Sequence, residues 1–173
     1  MRSRRRIVFI SIAALFLSSH VEAATPLAGK VSKPCTKAEL VGVWEMVSVM
    51  PAVSKKDPVF YPHQRFVFNG DSSMKVMTSE KPFDAKVLAA FKSQPTEIDY
   101  SLDAKGILTM SWSRRPHTEL AICAYVLQDV PPDMLKKIPT EKRAGIPKKG
   151  NVTLSFVGRN GKIVYQKVLK KIS

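Results

Sequence analysis

The chain has 173 residues, with 28 lysines and arginines against 14 aspartates and glutamates, a net charge of +14 at pH 7. Beyond its N-terminus no apolar run is long enough to cross a bilayer as a helix, which excludes a helical membrane bundle. The length suits one domain of ordinary size with a substantial buried core.

The chain opens as an export signal. Arg2, Arg4, Arg5 and Arg6 form a basic start, and Ile7 to Leu17 an apolar run too short to span a membrane. Val21, Glu22 and Ala23 supply the small-x-small pattern of a cleavage site, so residues 1–23 are expected to be a signal peptide. Arg4-Arg5 also fits a twin-arginine leader, although the strongly apolar run favours ordinary secretion. The product belongs to the periplasm or the extracellular space. The leader holds four of the 28 basic and one of the 14 acidic residues, which leaves 150 residues with a net charge of +11. Such a protein meets anionic envelope lipids or polymers as possible partners, or uses its charge only for solubility.

Residues 24–34 follow as a small-residue lead-in, expected to be flexible. From 35 to 173 the dominant pattern is alternation with period two, the mark of antiparallel strands with one buried face. Eight strands are predicted, at about 42–50, 64–69, 73–78, 97–102, 106–113, 118–127, 151–157 and 162–170. Turns separate them at Asn69-Gly70-Asp71-Ser72, Asp103-Ala104-Lys105-Gly106, Arg114-Arg115-Pro116-His117 and Arg159-Asn160-Gly161-Lys162. A short helix is predicted over 84–92, capped by Asp84, with Val87, Leu88 and Phe91 on one face. Between 129 and 150, Pro131, Pro132, Pro139 and Pro147 argue against regular structure. This loop carries Lys136, Lys137, Lys142, Arg143, Lys148 and Lys149. Eight sequential strands hide both sheet edges by closing into an up-and-down barrel, so the fold expected is all-β with one short helix.

Two cysteines are present, Cys35 and Cys123. Export and an even count favour one disulfide over two buried thiols. His63 and His117 neighbour prolines in loops and belong to no metal-spaced cluster, and no catalytic motif is found. No cofactor or metal is expected, and enzymatic activity is the least supported use of the chain. The inward-facing positions Phe66, Phe68, Met74, Val76, Tyr100, Leu108, Met110 and Trp112 are candidates for a ligand wall. In a barrel this small the same side chains serve equally well to fill the core.

Leu40-Val41-Gly42-Val43-Trp44 opens the first long strand with the pattern L-x-G-x-W. It resembles the signature of the calycins (lipocalins, fatty-acid-binding proteins and avidins), and the region from Cys35 to Ile172 looks most similar to bacterial lipocalin-like domains. The resemblance implies that Gly42 bends the chain at a closed barrel end and that Trp44 plugs it. It also implies a basic residue on the last strand covering that tryptophan, for which Lys167 or Lys170 is available. The layout of Cys35, Trp112, Cys123 and Asn160-Gly161-Lys162 is similar to that of avidins and implies a Cys35–Cys123 bridge. The polar residues of a biotin site are absent, replaced by Glu45, Met46, Arg114, Arg115 and Pro116. The function expected is therefore an exported lipocalin-like protein that binds a small hydrophobic or amphipathic ligand. The alternative is a surface- or partner-binding protein acting through the basic loop, with the barrel as scaffold. A helix at 84–92 and a loop at 129–150 would then sit over the two barrel mouths.

Overall fold

The computed structural model describes residues 31–50, 57–143 and 145–173, so the expected signal peptide and most of the lead-in lie outside the described residues. Nine strands are present. β1 (Ser32–Pro34) is short; β2 (Gly42–Met50), β3 (His63–Phe68), β4 (Ser73–Ser79), β5 (Ile98–Leu102), β6 (Ile107–Trp112), β7 (Thr118–Val126), β8 (Val152–Val157) and β9 (Ile163–Lys171) follow. The last eight match the eight predicted strands closely. Every neighbouring pair is antiparallel, β9 lies between β2 and β8, and β7 pairs with β8. That last pairing closes an eight-stranded up-and-down barrel.

β1 starts inside the expected lead-in. Ser32, Lys33 and Pro34 lie opposite Val126, Tyr125 and Ala124 on the stretch of β7 that β6 does not cover. The next residue, Cys35, is bonded to Cys123, with Cα atoms 5.4 Å apart. Cys35 N–H also donates to the Cys123 carbonyl at 3.1 Å. A strand too short to persist alone is thus stapled to the barrel wall.

One barrel end is plugged. Helix α1 (Lys37–Leu40) begins with a capping box, in which Thr36 and Glu39 satisfy each other's orphan backbone and side-chain groups. Lys33 adds an ion pair to Glu39 at 2.6 Å. The helix delivers Leu40 and Trp44, both 0% exposed, to the barrel floor. The Trp44 indole N–H donates to the Leu40 carbonyl at 2.7 Å, so its one polar atom is satisfied in the core. Gly42, at φ +135°, makes the bend: a Cβ there would lie 2.5 Å from Lys171 Cε and 2.6 Å from the Ser173 carbonyl oxygen. Lys171, opposite Trp44 in the register, holds Nζ 5.5 Å from the indole ring.

That position corrects the expectation of Lys167 or Lys170 over Trp44. Strand parity sends Lys170 outward, while Lys167 shares the inward face but lies four residues further along β9.

Of two further elements, one forms as expected and one departs from it. Helix α2 (Ala85–Ser93) forms with Asp84 accepting from Val87 N–H at 2.7 Å, but only Phe91 is buried and Val87 is 42% exposed. A helix laid across a seam presents a narrower face than one laid on a flat sheet. The 129–150 segment contains two short helices, α3 (Pro132–Lys136) and α4 (Thr140–Arg143). Pro132 does not prevent α3 because it occupies the first turn, where its missing N–H has no intrahelical partner to lose.

Replacing Cys35 and Cys123 together by alanine is expected to lower stability by about 2–5 kcal/mol, because the bridge spans 88 residues. Urea unfolding with and without reductant measures it, and the double variant should become indifferent to the reductant.

Candidate functional site

The barrel interior is divided in two. Toward the plugged end, Phe68, Tyr100 and Leu108 pack with Leu40, Trp44, Leu154 and Leu169 in one buried cluster. Phe68 meets Tyr100 edge to face at 5.3 Å, and the Tyr100 hydroxyl donates to the Asn69 carbonyl at 2.7 Å. Toward the other end lies a cavity of about 650 Å³, bordered by Phe66, Met74, Val76, Met110 and Trp112 among others. Five of the eight residues expected on a ligand wall therefore line the cavity, and Phe68, Tyr100 and Leu108 do not. The volume lies within the range of about 300–1,000 Å³ typical of small-molecule sites.

The mouth is built from three segments. Pro58 and Val59, in the 3₁₀ turn Pro58–Phe60, border the cavity from the β2–β3 connection. Asp57 caps that turn by accepting from Val59 N–H. Gln64 Nε2 pins it from inside by donating to the Val59 and Tyr61 carbonyls at 2.8 and 2.9 Å. On the far side Trp112 packs 4.9 Å from the His117 ring, near an exposed Arg114–Glu97 ion pair.

The third segment covers a seam. β4 and β5 pair only at Ser73–Asp99 and Met74–Ile98; past Met74, β4 runs on without β5, which begins at Ile98. Helix α2 lies over the gap with Phe91, Gln94 and Pro95 on the cavity border. Lys75 Nζ donates to the Lys92 carbonyl at 3.0 Å and lies 6.0 Å from the Phe91 ring.

None of the described residues of the basic loop borders the cavity. The loop leaves β7 and enters β8 near the plugged end, where Val126 exchanges backbone hydrogen bonds with Gly150 and Asn151. It then lies along the outer wall, where Ser48 Oγ donates to the Gly145 carbonyl at 3.0 Å. Val168, opposite Ser48 and pointing outward, is 0% exposed. Lys136, Lys137, Arg143, Lys148 and Lys149 remain exposed. The side chain of Lys142 lies outside the described residues.

The sequence reading did not place Lys167 in the cavity, yet it is the most unusual residue there. It is only 5% exposed. Its ammonium donates to Gln64 Oε1 at 2.7 Å and lies 5.5, 5.3 and 5.4 Å from the rings of Phe66, Phe156 and Tyr165. Desolvation lowers its pKa from 10.5 to about 8, against the smaller opposing pull of Glu119 and Asp57. Burial raises the Tyr165 hydroxyl above its ordinary range, so it stays neutral. Parity alone would have located these groups. Gln64 alternates with Phe66 and Phe68, and Lys167 with Tyr165 and Leu169.

Among the described residues no group of three or more His, Cys, Asp or Glu is arranged to hold a metal ion, and no helix is long and apolar enough to cross a membrane. Fold and site together define a closed antiparallel barrel with a disulfide and an internal chamber, an arrangement consistent with a calycin-like fold. No protein-family model, curated protein or solved structure matches the chain.

A cation whose pKa is lowered on folding opposes folding while it stays protonated. Below about pH 8 the charge is present in both states and the full burden applies; it is relieved as pH rises from about 8 toward 10.5. Stability should therefore increase between pH 8 and 10. Lys167→Met should flatten that slope, since it removes the titrating group. Chemical denaturation across this pH range measures both, and an unchanged slope in the variant would refute the assignment to Lys167.

Proposed function

We propose that this chain is an exported lipocalin-like protein that binds a small hydrophobic or amphipathic ligand in its barrel. The observation that carries this reading is the cavity of about 650 Å³ above a packed floor. A barrel selected only for stability would fill that volume, since an unfilled core forfeits dispersion contacts and burial. Its wall joins aromatic rings with the flexible, polarizable side chains of Met74 and Met110, which adapt to apolar guests. The disulfide supports an oxidising destination, as does the export pattern in the sequence.

A fluorescent apolar probe should bind saturably with one site per chain. Val76→Trp, which places an indole inside the cavity, should weaken binding about tenfold or more while leaving the unfolding midpoint nearly unchanged. Equal affinity in the variant would sink the chamber as the binding site.

The outer wall favours a second reading, in which the exposed cations at Lys136, Lys137, Arg143, Lys148 and Lys149 hold the protein against an anionic envelope lipid or polymer. Adsorption to anionic vesicles should then fall steeply between low and physiological salt, and disappear when these residues are changed to glutamine. Salt-indifferent adsorption would exclude it.

A further inference from the structure

Lys167 is a buried cation on the cavity wall. Among the described residues no carboxylate forms an ion pair with it. An ammonium has three N–H donors, and the Gln64 side-chain oxygen accepts one hydrogen bond. Gln64 is itself fixed by its two bonds to the mouth turn, so the ammonium is held in place rather than free to reach solvent. The three surrounding rings stabilise a cation weakly and supply no acceptor for its remaining protons. A buried charge in this state is normally costly unless a partner completes it.

The other charged groups on the cavity border are otherwise engaged. Arg114 pairs with Glu97 at 3.1 Å, Lys75 is directed at the Lys92 carbonyl, and Glu119 lies 3.2 Å from the His117 ring. The groups that act on Lys167 electrostatically are Glu119 on β7 and Asp57 before the mouth turn. Both are acidic, and they disfavour a head group with two negative charges.

We propose that Lys167 anchors the acid group of a monocarboxylate amphiphile whose apolar body lies against Met74, Val76, Met110 and Trp112. The anchor presupposes that the chamber takes ligand at all, and a neutral ligand of the same chain length tests that separately. Charge-assisted bonds are the strong class, so the acid should gain clearly over its neutral counterpart.

The experiment is displacement of an apolar fluorescent probe at pH 7 by dodecanoate, dodecanol and acetate. Dodecanoate should bind the unaltered protein about tenfold or more tighter than dodecanol, and acetate only weakly, because a head group alone buries no apolar surface. In Lys167→Met the two long-chain ligands should become equal, with dodecanol retained. Lys171→Met, at the plugged floor, should keep the preference. Raising the pH through about 8 should erode the preference in the unaltered protein as the free ammonium loses its proton, and should leave Lys167→Met unmoved. Equal affinity for acid and alcohol in the unaltered protein overturns the anchor and leaves the chamber intact, as does an acid preference that survives in Lys167→Met. Failure of both long-chain ligands to bind overturns the chamber and the anchor with it.

Discussion

The plug at Trp44 is the constraint on which the rest of the barrel depends. A flat indole fills the floor only if the chain turns sharply beneath it, which Gly42 permits and a Cβ would block. The turn in turn places α1 under the floor, and the Leu40 carbonyl there receives the indole proton. The C-terminal end is drawn into the same knot, since Val43 N–H donates to the Ser173 carbonyl and Ile172 N–H to the Val43 carbonyl. The Cys35–Cys123 bridge fixes the segment leading into α1 against β7. First and last strands and the middle of the chain are thus bound at one end. The opposite end is relieved of the task of holding the barrel shut.

That division explains the uneven interior. Near the floor, side chains interdigitate as in any protein core, and Trp44, Leu108 and Leu154 are 0% exposed. Toward the mouth β4 runs past the start of β5, and the inward side chains there border the cavity. A lysine is tolerated there because Gln64 and three aromatic rings surround its ammonium, although desolvation still works against it. Replacing such a charge by an apolar group of similar size commonly stabilises a protein. Its presence in this position is therefore not explained by folding stability.

Much of the fold was legible because an up-and-down barrel is written in local signals. Alternation located the strands, and Asp103 and Asn160-Gly161 located turns that the structure closes with Asx bonds to Lys105, Ile107 and Lys162. The plug was visible in Gly42 and Trp44, but the cation over it was assigned to the wrong lysine. A single strand carries lysines at 167, 170 and 171, and only the register against β2 tells which one reaches Trp44. Depth along the barrel was also invisible. Phe66 and Phe68 have the same parity and the same chemistry, and both are buried in the core, yet only Phe66 borders the cavity. The course of the 129–150 segment depends on long-range contacts such as Ser48 to Gly145, which no local pattern encodes.

The short pairing of β4 with β5 has a kinetic consequence. Closure of the barrel rests on the long ladders of β7 with β8 and of β2 with β9, all remote from the seam. Among the described residues, α2 is held against β4 by the buried Phe91 and the hydrogen bond from Lys75 to the Lys92 carbonyl, and lifting it would break no complete ladder. Local opening at this seam would therefore cost far less than unfolding the barrel, and would belong to the timescale of helix and loop motion.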